Sequence, residues 1–168
     1  MNRKICEAII LGGVLMLAPL SHNATAISDE QKTAISENCP SIKTSIKILQ
    51  KADSRTRVFL GTSYEHILTN FISPLNIRLA KNNHPDTTLS EIQIQFATKR
   101  NKFSDTFTQY MKSLETLSNT DCTHDPEIFY NNLEKTRAQR KELNQLSKDL
   151  RDLTIKNVET VNMLKDSL

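Results

Sequence analysis

From residue 28 onward, apolar side chains recur at steps of three and four, the spacing that keeps them on one face of an α-helix. Ser28, with Gln31 three residues later, has the capping-box pattern and predicts a short first helix over residues 29–38. After Cys39-Pro40-Ser41, a second apolar series runs through Ile42, Ile46, Leu49, Leu60, Tyr64, Ile67, Phe71 and Leu75. Pro74 falls inside this series. Proline lacks a backbone donor and crowds the preceding turn, so a kink or break is expected there, with the helix resuming to about Ala80. Residues 82–86 (Asn-Asn-His-Pro-Asp) have the composition of a turn, and Thr88 with Glu91 suggests a second capping box. The third series is Leu89, Ile92, Phe96, Phe103, Phe107, Tyr110, Leu114 and Leu117. Residues 119–124 form the next turn. Asp125-Pro126-Glu127 then combines a capping acid, proline at the first helical position and an acid in the first turn. The last series is Phe129, Leu133, Leu143, Leu146, Leu150, Leu153, Val161 and Leu164.

Three long helices joined by short turns pack as antiparallel neighbours. The expected fold is all-α: an elongated up-down-up bundle of three long helices, preceded by a short N-terminal helix. Helices of about thirty to forty residues would be roughly 45–60 Å long. Composition agrees, because Gly61 is the only glycine after residue 26 and tryptophan is absent. A β-sandwich or an α/β enzyme needs more tight turns than that. Cys39 precedes the second series and Cys122 lies between the third and fourth, so an up-down-up path brings both to one end. A Cys39–Cys122 disulfide is therefore expected. A metal site would need further soft ligands, and only His124 is near in sequence.

The N-terminus adds a destination. Arg3 and Lys4 precede an apolar run over residues 8–20, and Ala24-Thr25-Ala26 supplies small residues where signal peptidase reads. A membrane span needs about 20 apolar residues; this run is shorter and contains Gly12, Gly13 and Pro19. Residues 1–26 are expected to be a cleaved signal peptide, leaving residues 27–168 as a single helical domain outside the cytoplasm. Cys6 lies ahead of the apolar run, which argues against lipid attachment. An oxidising compartment is where two cysteines pair. Removing Arg3 and Lys4 from the 22 basic residues and Glu7 from the 19 acidic ones leaves a net charge of +2. Those charges interleave, which is a solvated helix surface rather than a nucleic-acid footprint. Nothing after residue 26 is apolar enough to span a membrane.

The apolar seam is interrupted by polar residues. Asp53 and Thr56 stand where the second series expects apolar side chains, flanked by Arg55 and Arg57. Arg100 interrupts the third series, and Thr136 and Arg140 interrupt the fourth. Counted from the disulfide end, Asp53 and Arg140 come level, with Arg100 about a turn higher. Asp53, Arg100 and Arg140 are thus a candidate polar layer. It either fixes helix register or forms a pocket for an anionic ligand. His66, His84 and His124 show no helical metal spacing, and no Cys-x-x-Cys-His, Gly-flanked serine or phosphate-cradling glycine loop occurs. No catalytic, metal or cofactor-binding residue is predicted, and the protein is expected not to be an enzyme.

Cys39-Pro40, residues 57–64 with Gly61, residues 74–79 (Pro-Leu-Asn-Ile-Arg-Leu), Asp121-Cys122 and Phe129-Tyr130 together resemble a loose group of uncharacterised secreted helical proteins from small-genome bacteria. That resemblance implies no activity. The chain departs from exported chaperones of the Skp/OmpH type, lacking their β-rich body and carrying a cysteine pair they do not need. It departs from the Spy/CpxP type too: Leu68-Thr69-Asn70-Phe71-Ile72 has no glutamine at the last position of the Leu-Thr-x-x-Gln motif. The expected function is an interaction module that presents a helical face to another protein or to an envelope component. A holdase chaperone and a carrier of a small anion are the alternatives.

Overall fold

The computed structural model describes residues 27–167, and the signal peptide expected over residues 1–26 lies outside them. The described chain is all-helical, with no strand. Its elements are α1 (Asp29–Glu37), α2 (Cys39–Ile67), a π-helical turn (Leu68–Ile72), α3 (Ser73–Lys81), α4 (Thr87–Asn119) and α5 (Pro126–Ser167).

The helix ends follow local chemistry. At α1 the capping box is complete: Gln31 N–H donates to Ser28 Oγ at 3.2 Å, and Ser28 N–H to Gln31 Oε1 at 3.0 Å. Chain reversal after α3 uses Asn83 with φ 60°, while His84 N–H reaches Leu79 O and Asn83 N–H reaches Ala80 O. This is a Schellman ending, with asparagine in the left-handed position that glycine usually takes. At α4 the expected Thr88–Glu91 box is not the cap. Asp86, with extended backbone, accepts the Leu89 N–H at 2.7 Å, and the helix already includes Thr87. A carboxylate at the positive end of the helix dipole is the stronger acceptor. Asp86→Ala should therefore lower stability by about 1 kcal/mol, read as a shift of the urea midpoint, whereas Thr88→Ala should leave that midpoint almost unchanged.

Pro74 neither breaks nor ends the helix. Just before it, the chain widens into the π-helical turn, where Ser73 N–H donates to Leu68 O, five residues back. The wider turn moves carbonyls away from the proline ring, and Pro74 falls in the first turn of α3, where its missing N–H costs little. The widening also corrects the predicted register. A turn closed five residues apart keeps steps of four in line, so Tyr64, Leu68 and Ile72 are buried. Phe71, expected in the seam, is 60% exposed.

α4 packs against both other long segments. Lys99 pairs with Asp149 and Lys102 with Glu142, while Thr120 meets Asn132. On the other side, Arg100 pairs with Glu65, and Tyr64 packs edge-on against Phe96 and Phe103. These pairs tie α4 to α2 and to α5. The core between them holds Phe96, Phe103, Tyr110, Leu114, Phe129, Leu143 and Leu150, all essentially buried. The expected Cys39–Cys122 disulfide is present, with Cα atoms 5.5 Å apart and both cysteines buried. α1 is held beside it: Ser36 Oγ donates to Thr123 O, and Lys32 lies 3.6 Å from Glu127.

Candidate functional site

Two features of the frame are candidates for function: a buried polar cluster near its middle and an apolar groove towards the end away from the disulfide. In the cluster, Asp53 of α2 is buried, Tyr110 Oη of α4 donates to its Oδ2 at 2.6 Å, and Arg140 Nε of α5 donates to the same oxygen at 2.9 Å. A second Arg140 nitrogen reaches Oδ1 at 3.4 Å. One carboxylate thus ties three helices. Burial alone would push the Asp53 carboxyl up, but the bonds from Tyr110 and Arg140 and the charges of Arg140 and Arg57 outweigh it, holding it below the ordinary aspartate value. Tyr110 moves the opposite way: burial and its bond to Asp53 push the phenol well above its usual range. Bonding to Asp53 likewise raises Arg140, so this cluster stays ionised as a pair at neutral pH.

One turn on, the seam takes Arg57, not Thr56. Arg57 is buried and crosses to α5, donating to Asn144 Oδ1 and Ser147 Oγ, while Thr56 is exposed and bonds its own helix at Ala52 O. A step of four and a step of three fall on opposite sides of Asp53 along the helix face, and here the step of four is the one directed at α5. Thr136 is buried but donates to Asn132 O of its own helix. Arg100 is not in the cluster. It pairs with Glu65 at 2.9 Å, and ten residues of α4, about 15 Å, separate it from Tyr110. The predicted height of one turn is therefore too small. Arg57, Arg100, Glu65 and His66 line a surface cavity of about 520 Å³ between α2 and α4. Arg100 pairs with Glu65 and the Arg57 terminal nitrogens bond to α5, whereas the buried Nε of each arginine has no partner within the protein.

The groove lies between α2–α3 on one side and α5 on the other. Its upper part, about 430 Å³, is lined by Ile67, Phe71, Leu75, Val158 and Val161; its lower part, about 450 Å³, by Leu60, Tyr64 and Ile155. Ile67 and Thr154 belong to both parts, so the groove is continuous. Phe71, Val158 and Ile155 are 60%, 53% and 49% exposed. Arg78, Lys148 and Arg151 are its charged lining residues, and no carboxylate lines it. Asn157 Oδ1, buried at the groove, has no donor from the protein.

Among the described residues, no group of His, Cys, Asp and Glu could hold a metal ion. His66 rests edge-on against Phe71, and His124 pairs with Asp121 on the surface at 2.8 Å. That bond raises His124 and lowers Asp121. No helix among the described residues is long and apolar enough to cross a membrane. Neither protein-family models, nor curated proteins, nor solved structures provide a match to this chain.

Proposed function

We propose that the chain is an exported, non-enzymatic interaction module whose groove receives a helix from a partner protein outside the cytoplasm. In this reading α2–α3, α4 and α5 form an up-down-up bundle of three long helices, and the partner supplies a fourth. The groove carries the proposal. A frame that buries Tyr64, Phe96, Phe103, Tyr110 and Phe129 leaves Phe71, Ile155 and Val158 open to water, and apolar surface contiguous with a groove marks a partner site. From Leu60 to Arg78 the groove runs 18 helical positions, about 27 Å, the length of a five-turn helix. Its charge selects the partner: Arg78 and Lys148 stand outside every ion pair among the described residues, so a helix with an acidic flank fits. The buried disulfide supports a location outside the cytoplasm.

The test is a groove variant carrying Phe71→Glu and Val158→Glu. Both side chains are exposed, so its melting temperature should match wild type within a few degrees. Affinity crosslinking from the envelope fraction should recover a partner with wild type and with a Lys112→Glu surface control, but at least tenfold less with the groove variant. Equal recovery by all three would overturn the proposal. A holdase would instead suppress aggregation of an unfolded client at equimolar amounts, without a stoichiometric partner. A small-anion carrier has less support, because terminal guanidinium nitrogens of both arginines beside the α2–α4 cavity are already taken by Glu65 and α5, leaving only their Nε atoms unpartnered.

A further inference from the structure

α2 has a second stripe, opposite the buried one. Ile46, Asp53, Arg57 and Tyr64 face inward, while Ile48, Lys51, Arg55, Val58 and Phe59 recur at steps of three and four on the outward side. Ile48, Val58 and Phe59 are 66%, 56% and 70% exposed. Beside them Lys47, Lys51 and Arg55 are exposed, and none of the three forms an ion pair among the described residues. The carboxylates of α2 do not offset these cations, because Asp53 is turned inward to Arg140 and Glu65 is held by Arg100. The hydroxyls on this side, Thr44 and Thr62, donate back to Pro40 O and Val58 O of the same helix.

We propose that this outward face of α2 is a docking surface for a lipid bilayer bearing anionic headgroups. Exposed apolar side chains interleaved with unpaired cations along one helix face are what an interfacial helix presents: the apolar groups enter the headgroup boundary and the cations meet the phosphates. Charge complementarity selects a bilayer over a second copy of this chain, because two such faces would set cation against cation. The surface is separate from the groove and does not depend on it.

The experiment is cosedimentation with vesicles. Protein is expressed from the full chain and purified with the disulfide intact, so the N-terminal segment is treated identically in every variant. Wild type should sediment with phosphatidylglycerol–phosphatidylcholine vesicles, fail to sediment with pure phosphatidylcholine, and weaken as salt rises. Each unpaired cation contributes roughly fivefold in affinity at an anionic surface. The neutralised variant K47Q/K51Q/R55Q should therefore lose about a hundredfold. Phe59→Ser should lose severalfold. Equal binding to both lipid compositions, wild-type binding by the neutralised variant, or no sedimentation at low salt would overturn the proposal. So would capture of an acidic protein by this face while vesicles are ignored. Circular dichroism of the neutralised variant separates a lost surface from a lost fold.

Discussion

Replacing Cys39 and Cys122 together by alanine is expected to cost more stability than any other change considered for this chain, roughly 4–5 kcal/mol. The bridge closes a loop of sequence separation 83. In the chain-entropy model a closure of that length removes most of its freedom from the unfolded state, so the loss appears there rather than in broken native contacts. Alanine is the informative replacement. Both cysteines are buried, and serine would add two hydroxyls needing partners. The native geometry should survive, because the neighbouring contacts of α1 with Thr123 and Glu127 are separate from the bridge. Urea unfolding of the oxidised wild type and the alanine pair, without reductant, measures the difference. A shift below about 1 kcal/mol would mean that the unfolded chain is already compact enough to gain little from the tie. Burial also predicts slow reduction: thiol attack needs access, so the bridge should open at the rate of local unfolding.

Most of the helical frame is legible in the sequence because it is written locally. Ser28 with Gln31, and Asp125 before Pro126, specify helix starts through groups within a few residues of each other. The spacing of Phe96, Phe103 and Tyr110 specifies the buried face of α4. The disulfide is legible for a topological reason, since two turns on one path meet at one end. Local rules fail at the π-helical turn. Assuming a constant 3.6-residue period puts Phe71 in the seam, whereas Pro74 imposes a wider turn that carries Phe71 outward. Proline in a helical pattern thus marks a register change as readily as a stop.

The candidate sites are legible only in part. Asp53 and Arg140 stand out as polar residues in apolar seams, and the structure joins them. Tyr110 is hidden because tyrosine passes for an apolar seam residue, although a buried phenol needs a partner. A usable signal exists: Asp53 lies 14 residues after Cys39 and Tyr110 lies 12 before Cys122. Counted from the cysteine bridge, the acid and the phenol therefore lie at similar distances along their helices. Arg100 misleads because, at 22 residues before Cys122, it lies about one turn above Arg140 at 18 residues after it but about two turns above Asp53 at 14 residues after Cys39. The groove has no local signature. It arises because α2–α3 and α5 both pack on α4 and leave a cleft between themselves, which only the three-dimensional arrangement specifies.

Asp53→Ala is expected to cost about 2–3 kcal/mol. The substitution leaves the fully buried Tyr110 hydroxyl without its acceptor and Arg140 without its counter-charge. Removing one partner of a wholly buried pair costs about 3–5 kcal/mol, but the Arg140 side chain is 45% exposed and can regain water, which places this case lower. Much of the loss should belong to the orphaned phenol, and Tyr110→Phe removes that phenol. The double variant Asp53→Ala/Tyr110→Phe should therefore be more stable than the two single losses add up to, by about 1 kcal/mol. Strict additivity would mean that the two groups do not share an interaction. Acidity separates the ionic part. The folded-state value of Asp53 lies below the unfolded carboxyl value of about 3.9. A depressed carboxyl stabilises the fold above the unfolded value and loses that contribution as pH falls through the folded one. Wild type should exceed Asp53→Asn in stability at pH 7, and the gap should close progressively below about pH 4. A gap of the same size at pH 7 and at about pH 2 would assign the role of Asp53 to shape and hydrogen bonding rather than charge.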